Sequence, residues 1–297
     1  MSIASLRVQS WPGSYEADAK PRVGFFTDTS VCIGCKACEV ACKEWNQVPE
    51  DGLRFSGDSY DNTGELGADT WRHVAFIEQR LGLGVDGGEP LVTQAARAEL
   101  DSVAVQEDAG MRWLMSSDVC KHCTEAACLD VCPTGSLFRT EYGTVVVQED
   151  ICNGCGACIP ACPFGVIDQR EDDGRAWKCT LCYDRLKDDL EPACAKACPT
   201  ESIQFGELES LRRRADRRLA ELSDRGVAGA RLYGHDERDG VGGFGAFFLL
   251  LDEPEVYGLP PDPVVCTRQL GESWKAAGVA ATIVVGAVLG AFAGRRR

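Results

Sequence analysis

Apolar positions along the chain predict short strands, one amphipathic helix and one helix that is apolar on every side. β-Branched and aromatic runs predict strands at Val23–Asp28, Trp71–Gln79, Arg112–Ser116, Thr144–Val147 and Val166–Gln169. Two more, Ser136–Phe138 and Ser202–Phe205, each follow shortly after a Cys-Pro pair. Gly245–Leu251 is continuously apolar, the pattern of a strand buried on both faces. In Glu207–Arg225 the residues Leu208, Leu211, Ala215, Leu219 and Leu222 recur on one face, which predicts a helix stopped at Gly226. Glycine-rich polar stretches at 50–70 and 81–90 predict loops, Gln94–Glu107 a helix, and Pro260, Pro261 and Pro263 a linker.

The last predicted element differs from all the others. Ala276–Gly294 is nineteen residues without a charge, with Thr282 as its one polar side chain. A buried helix of a soluble protein normally keeps a polar face, so this pattern predicts a single membrane span. Gly278, Thr282, Gly286, Gly290 and Gly294 recur every fourth residue and make a face of small side chains suited to a partner helix. Residues 1–20 are polar and irregular, with neither the plan of a secretory signal peptide nor a twin arginine.

Superimposed on the strand pattern is a cysteine pattern. Sixteen of the seventeen cysteines fall into quartets: Cys32/Cys35/Cys38/Cys42, Cys120/Cys123/Cys128/Cys132, Cys152/Cys155/Cys158/Cys162 and Cys179/Cys182/Cys194/Cys198. Pro133, Pro163 and Pro199 directly follow the last cysteine of three of them. Secreted disulfide scaffolds are short and scatter their cysteines, whereas tight Cys-x2-Cys groups converge on metal. A Cys-x2-Cys-x2-Cys loop wraps a cubane iron–sulfur cluster with three thiolates and takes the fourth from elsewhere; in two-cluster ferredoxins the Cys before the proline ligates the other cluster. Gly34, Gly154 and Gly156 let such loops turn tightly and aim N–H groups at anionic sulfur. The strand–loop–helix–strand unit around these quartets repeats, as in bacterial ferredoxins.

Competing chemistries fit less well. Zinc ribbons use two Cys-x2-Cys pairs per metal and usually lack the trailing Cys-Pro; a zinc-bearing structural protein is the reading from another class. Haem attachment would need Cys-x-x-Cys-His, and the histidines are only His73, His122 and His235. His122, inside the second loop, either hydrogen-bonds a cluster or sits exposed. A net charge of −15 argues against nucleic-acid binding. The basic run Arg212-Arg213-Arg214 with Arg217 and Arg218 reads as a solvated helix face, as do Asp172/Asp173 and Asp188/Asp189. The odd Cys266 reads as an incidental thiol, and no catalytic constellation or nucleotide fingerprint is found.

The order of spacings resembles the four-cluster subunits of molybdenum and tungsten oxidoreductases, and most of all the iron–sulfur (beta) subunits of membrane-bound formate dehydrogenases. Echoes lie in Cys32-Ile33-Gly34-Cys35-Lys36-Ala37-Cys38, Glu44-Trp45-Asn46, Lys178-Cys179-Thr180-Leu181-Cys182, Glu191-Pro192-Ala193-Cys194, Gly240-Val241-Gly242-Gly243 and Tyr257-Gly258-Leu259-Pro260. The likeness covers roughly 25–275 and places a membrane helix at the same end. It implies an α+β fold of two ferredoxin-like domains, one nested in the other: 21–50 with 173–206, and 110–172. Segments 51–109 and 207–270 would dock and cap them, and 271–297 would anchor the chain. It also implies four [4Fe–4S] clusters with crossed ligation. Cys32, Cys35 and Cys38 would pair with Cys198, and Cys179, Cys182 and Cys194 with Cys42. Cys120, Cys123 and Cys128 would pair with Cys162, and Cys152, Cys155 and Cys158 with Cys132. The chain would then be a non-catalytic relay between a molybdopterin or tungstopterin alpha subunit and a membrane cytochrome b or other quinone-reactive gamma subunit. The same relay would also serve a hydrogenase or a polysulfide or sulfoxide reductase. Arg295-Arg296-Arg297 after the span favours a cytoplasmic C-terminus and a body on the outer face, co-exported with a partner, with the cytoplasmic face as alternative.

Overall fold

The structure, a computed structural model, describes residues 20–52, 57, 60–61, 63–80, 111–268 and 270–294. The loop expected at 81–90, the helix expected at Gln94–Glu107, the polar stretch before residue 20 and the terminal arginines lie outside the described residues.

In chain order the elements are β1 (Val23–Asp28), α1 (Ala37–Asn46), β2 (Arg72–Arg80), β3 (Met111–Val119), α2 (Ala127–Asp130), β4 (Leu137–Arg139), β5 (Val145–Val147) and α3 (Cys158–Ala161). They continue with β6 (Asp168–Gln169), β7 (Ala176–Trp177), α4 (Tyr183–Lys187), α5 (Ala193–Lys196), β8 (Ile203–Glu207), α6 (Leu208–Asp224), β9 (Arg231–Tyr233), β10 (Ala246–Leu250) and α7 (Leu270–Gly294). Most expected strands are found within a residue or two. The run at Val166–Gln169 pairs only at its end, because Val166 and Ile167 are spent on burial against the cysteine loops.

A four-stranded sheet of order β8-β1-β10-β9 forms the frame. β1 pairs antiparallel with β8, Phe25 opposite Phe205, and parallel with β10, Phe26 opposite Phe247. All five residues of β10 are buried, as its continuous apolar sequence requires of an interior strand. The rings of Phe26 and Phe247 stack with centroids 5.3 Å apart. Helix α6 lays Leu208, Leu211, Ala215 and Leu222 against β1 and β8. The segment expected to cap the molecule thus supplies, at the buried strand expected in Gly245–Leu251, an interior strand of the sheet. Residues leading into β10 also carry the second cysteine loop. Glu125 N–H donates to Val241 O at 2.8 Å, Thr124 N–H to Gly243 O at 3.0 Å and Ala246 N–H to Lys121 O at 2.9 Å.

β2 and β3 make a separate ribbon nine pairs long, with Arg72 opposite Val119 at the end nearest the cysteines. Hairpins β4–β5 and β6–β7 flank the third cysteine loop. The basic run on α6 is only partly solvated. Arg213, Arg214 and Arg217 are exposed, but Arg212 is buried with Glu209 2.9 Å away, and Arg218 meets Asp28 at 2.9 Å. Helix α7, 25 residues long, would extend about 37 Å. Its segment Gly271–Leu289 is long and apolar enough to cross a membrane and none of it is buried in the protein. The expected span, Ala276–Gly294, lies within the same helix.

Candidate metal centres

The cysteine loops turn as tightly as their spacing requires. Gly34 and Gly154 adopt φ of +64° and +70°, and a Cβ at Gly154 would stand 2.4 Å from the Gly174 carbonyl oxygen. Loops this tight present their own N–H groups to sulfur. Leu181 N–H donates to Cys179 Sγ at 3.3 Å, and Ala176 N–H to Cys152 Sγ at 3.4 Å.

Tertiary structure then assembles thiols from distant loops. β1 leads directly to Cys32, and its partner β8 begins just after Cys198, so the pairing of these strands brings both loops to one edge. Cys32, Cys35, Cys38 and Cys198 border one cavity together with Ser117 and Ser202. Cys120, Cys123, Cys128 and Cys162 border a second, with Lys121 and His122. Helix α1 packs on α5, which sets Cys42 among Cys179, Cys182 and Cys194. The Asn46 amide lies 3.7 Å from Cys42 Sγ and 3.8 Å from Cys182 Sγ. Cys158 stands with Cys152, Cys132 and Cys155. Cys266 is exposed and belongs to none of these groups.

The groups adjoin one another. Cys38 and Cys194 share Arg72, Cys179 faces Cys120, and Cys128 faces Cys158. Burial pushes the thiols upward, Cys38, Cys158 and Cys182 to about 11 and Cys128 and Cys179 to about 12, with neighbouring sulfurs adding to the rise. Burial would also raise Cys132, but N–H groups of Leu137, Thr134 and Ser136 and the Thr134 hydroxyl outweigh it and its thiol is lowered. Such sets lose their protons together only when metal cations take the protons' place.

Buried cations complete the environment. Lys178 donates to the Cys179 carbonyl at 2.9 Å; burial disfavours its charge, yet Cys120, Cys128 and Cys179 more than restore it. Lys121 is fully buried beside Asp118, with Phe164 and Phe248 rings 5.3 and 5.1 Å from its ammonium. Arg72 donates to Cys194 Sγ at 3.3 Å and to Ser117 Oγ at 3.3 Å. The sequence offered little sign of Arg72 or Ser117, since neither lies in a cysteine motif; the one signal was a lone arginine at the head of an apolar strand.

Two observations test the fit to cubane clusters. Four thiols border each of two cavities. Four thiols around one enclosed space are the donor set a four-iron cluster takes. The second is His122, which is buried, so the exposed reading of it falls. Its Nδ1 accepts the Val145 N–H at 3.1 Å, and burial, with Lys178 and Arg22 nearby, holds its pKa well below the usual value. The neutral ring therefore carries its proton on Nε2, a buried atom in the wall of the second cavity with no partner among the described residues. An anionic cluster sulfur is the acceptor such a donor needs.

Paired ferredoxin-like units, buried thiol sets and interleaved cations define an iron–sulfur electron-transfer protein. Two family models, each described as a 4Fe-4S dicluster domain, match residues 111–208 and 31–136. The formate dehydrogenase iron-sulfur subunit of Haemophilus influenzae is 38% identical over 86% of this chain and 73% of its own length. The nitrate-inducible formate dehydrogenase iron-sulfur subunit of Escherichia coli K12 is 36% identical over 90% of this chain and 81% of its own. The B subunit of the anaerobic dimethyl sulfoxide reductase of Escherichia coli K12 is 32% identical over 64% and 76%, respectively. The chain belongs to the family of formate dehydrogenase iron–sulfur subunits. It is an electron-transfer subunit and not a catalytic one, and its cofactors are four [4Fe–4S] clusters.

Proposed function

We propose that this chain links a formate-oxidising molybdopterin or tungstopterin subunit to a quinone-reactive membrane subunit such as a cytochrome b. The ligand sets are Cys32/Cys35/Cys38/Cys198, Cys42/Cys179/Cys182/Cys194, Cys120/Cys123/Cys128/Cys162 and Cys132/Cys152/Cys155/Cys158. The thiol neighbours described above carry this reading. The outer ferredoxin-like unit is 21–50 with 173–206 and the nested one 110–172, a division supported by the β1–β8 pairing and the packing of α1 on α5. Each [4Fe–4S] cluster supplies reversible one-electron chemistry.

What the chain contributes is order and insulation. The adjoining pairs support a single line of the four sets, in the sequence given. Both terminal sets keep an exposed cysteine, Cys35 and Cys155, whereas every cysteine of the second set is buried. Ile33 and Ile151 beside those ends are exposed and give apolar surface for contact. The residues just before α7 are tied to α2 and to the turn ahead of it: Thr267 Oγ1 donates to Asp130 at 2.6 Å, and Arg268 meets Glu125 at 3.2 Å. Because α2 lies between Cys123 and Cys132, the Cys132 end is the one toward the membrane and the Cys32 end the one toward the catalytic partner.

The body lies on the outer face, since the arginines beyond the span favour a cytoplasmic C-terminus. Protease added to intact cells without their outer envelope should then degrade it; protection would move it to the cytoplasmic side. Formate-dependent dye reduction by the purified complex tests the function. Reduction with another donor and none with formate would replace the catalytic partner. The likeness to the dimethyl sulfoxide reductase subunit makes the reverse direction, from quinol to an oxide substrate, the reading to compare.

A further inference from the structure

Arg72 is 2% exposed at the head of β2. Its guanidinium has no carboxylate among its described partners. Nη1 donates to the Ser117 carbonyl at 3.2 Å and to Ser117 Oγ at 3.3 Å, and Nη2 donates to Cys194 Sγ at 3.3 Å. One face of the group lies over the Phe25 ring, 4.9 Å from its centroid, and Nε has no partner among the described residues. Ser117 Oγ in turn lies 3.2 Å from Cys38 Sγ. A guanidinium taken out of water is costly unless an anion faces it. The anions available are sulfurs, and Cys38 and Cys194 belong to different ligand sets.

We propose that Arg72 is the shared counter-ion of the Cys32/Cys35/Cys38/Cys198 and Cys42/Cys179/Cys182/Cys194 centres, raising the reduction potential of both. This rests on the ligand sets proposed above. A cluster with four thiolates is anionic and gains one further negative charge on reduction, so a fixed positive charge favours the reduced form. Burial strengthens the effect, because little water screens it. Two centres sharing one cation are also coupled. Reducing either one adds negative charge close to the other, so the second electron of the pair enters less easily than the first.

The test is EPR-monitored redox titration of the purified complex with Arg72→Met, which keeps the length and loses the charge, beside Arg72→Lys. The expected result is a fall of at least tenfold in the one-electron equilibrium of two centres, about 59 mV each, with the other two unmoved. Arg72→Lys should hold both near the parent. Unmoved potentials in Arg72→Met, an equal shift of all four, or an equal shift in Arg72→Lys would each overturn the proposal. If Arg72→Met loses iron, Arg72→Gln takes its place. Loss of these two centres in both neutral variants with Arg72→Lys intact supports a counter-ion, and the same loss in Arg72→Lys overturns it. Cys38→Ala and Cys194→Ala, read in the same spectra, check the ligand sets separately. If both disturb one signal, the ligand sets are wrong, whatever Arg72 does.

Discussion

Cys194 and Cys198 are four residues apart on either side of the end of α5, yet the proposed ligand sets put them in different centres. Cys32 and Cys198 are far apart in sequence but border one cavity. Pairs of substitutions therefore separate crossed from sequential ligation. With four irons per centre the parent should hold about sixteen. Cys32→Ala with Cys198→Ala removes two ligands of one centre, which two thiols cannot hold, so about twelve irons and three intact clusters should remain. Cys194→Ala with Cys198→Ala removes one ligand from each of two centres, and three thiols remain at both. Two EPR signals should then change, with two clusters intact. Iron analysis and EPR of the reduced complex give both counts. Sequential ligation demands the opposite: two disturbed centres in the first variant and one in the second. That reversal would refute the assignment and with it the order of the relay.

Other perturbations probe the frame. Phe247→Ala empties a fully buried site stacked on Phe26 and should cost about 3–5 kcal/mol; faster thermal inactivation and bleaching of the clusters would report it, and an unchanged rate would contradict the interior placement of β10. Gly154→Ala forces a side chain into φ of +70° and against the Gly174 carbonyl, costing about 1–2 kcal/mol before the clash is counted. The cluster signal of the third loop should weaken selectively, while equal loss of all four would not fit. Expressed without partner subunits, the chain ending at residue 269 should be released from membranes that retain the parent through a carbonate wash; retention of both would place the attachment elsewhere.

Local chemistry wrote much of this protein into its sequence. The Cys-x2-Cys spacings with their glycines specify loops that wrap a cluster whatever surrounds them, and apolar periodicity specifies β1, α6 and α7. Metal class, ferredoxin-like units and the long apolar helix were legible for that reason. Tertiary structure alone decided what depends on long-range pairing. β10 reads as a buried strand, but nothing in its five residues says that it lies parallel to β1 or holds the loop at Lys121–Glu125 in register. His122 looked equally like a surface residue until the walls around it were in place. Arg72 carries no motif, and its meaning comes from β2 entering the interior between two thiol sets. A cluster loop is a local object, whereas the charge and dielectric around it are set by residues that only the fold makes neighbours.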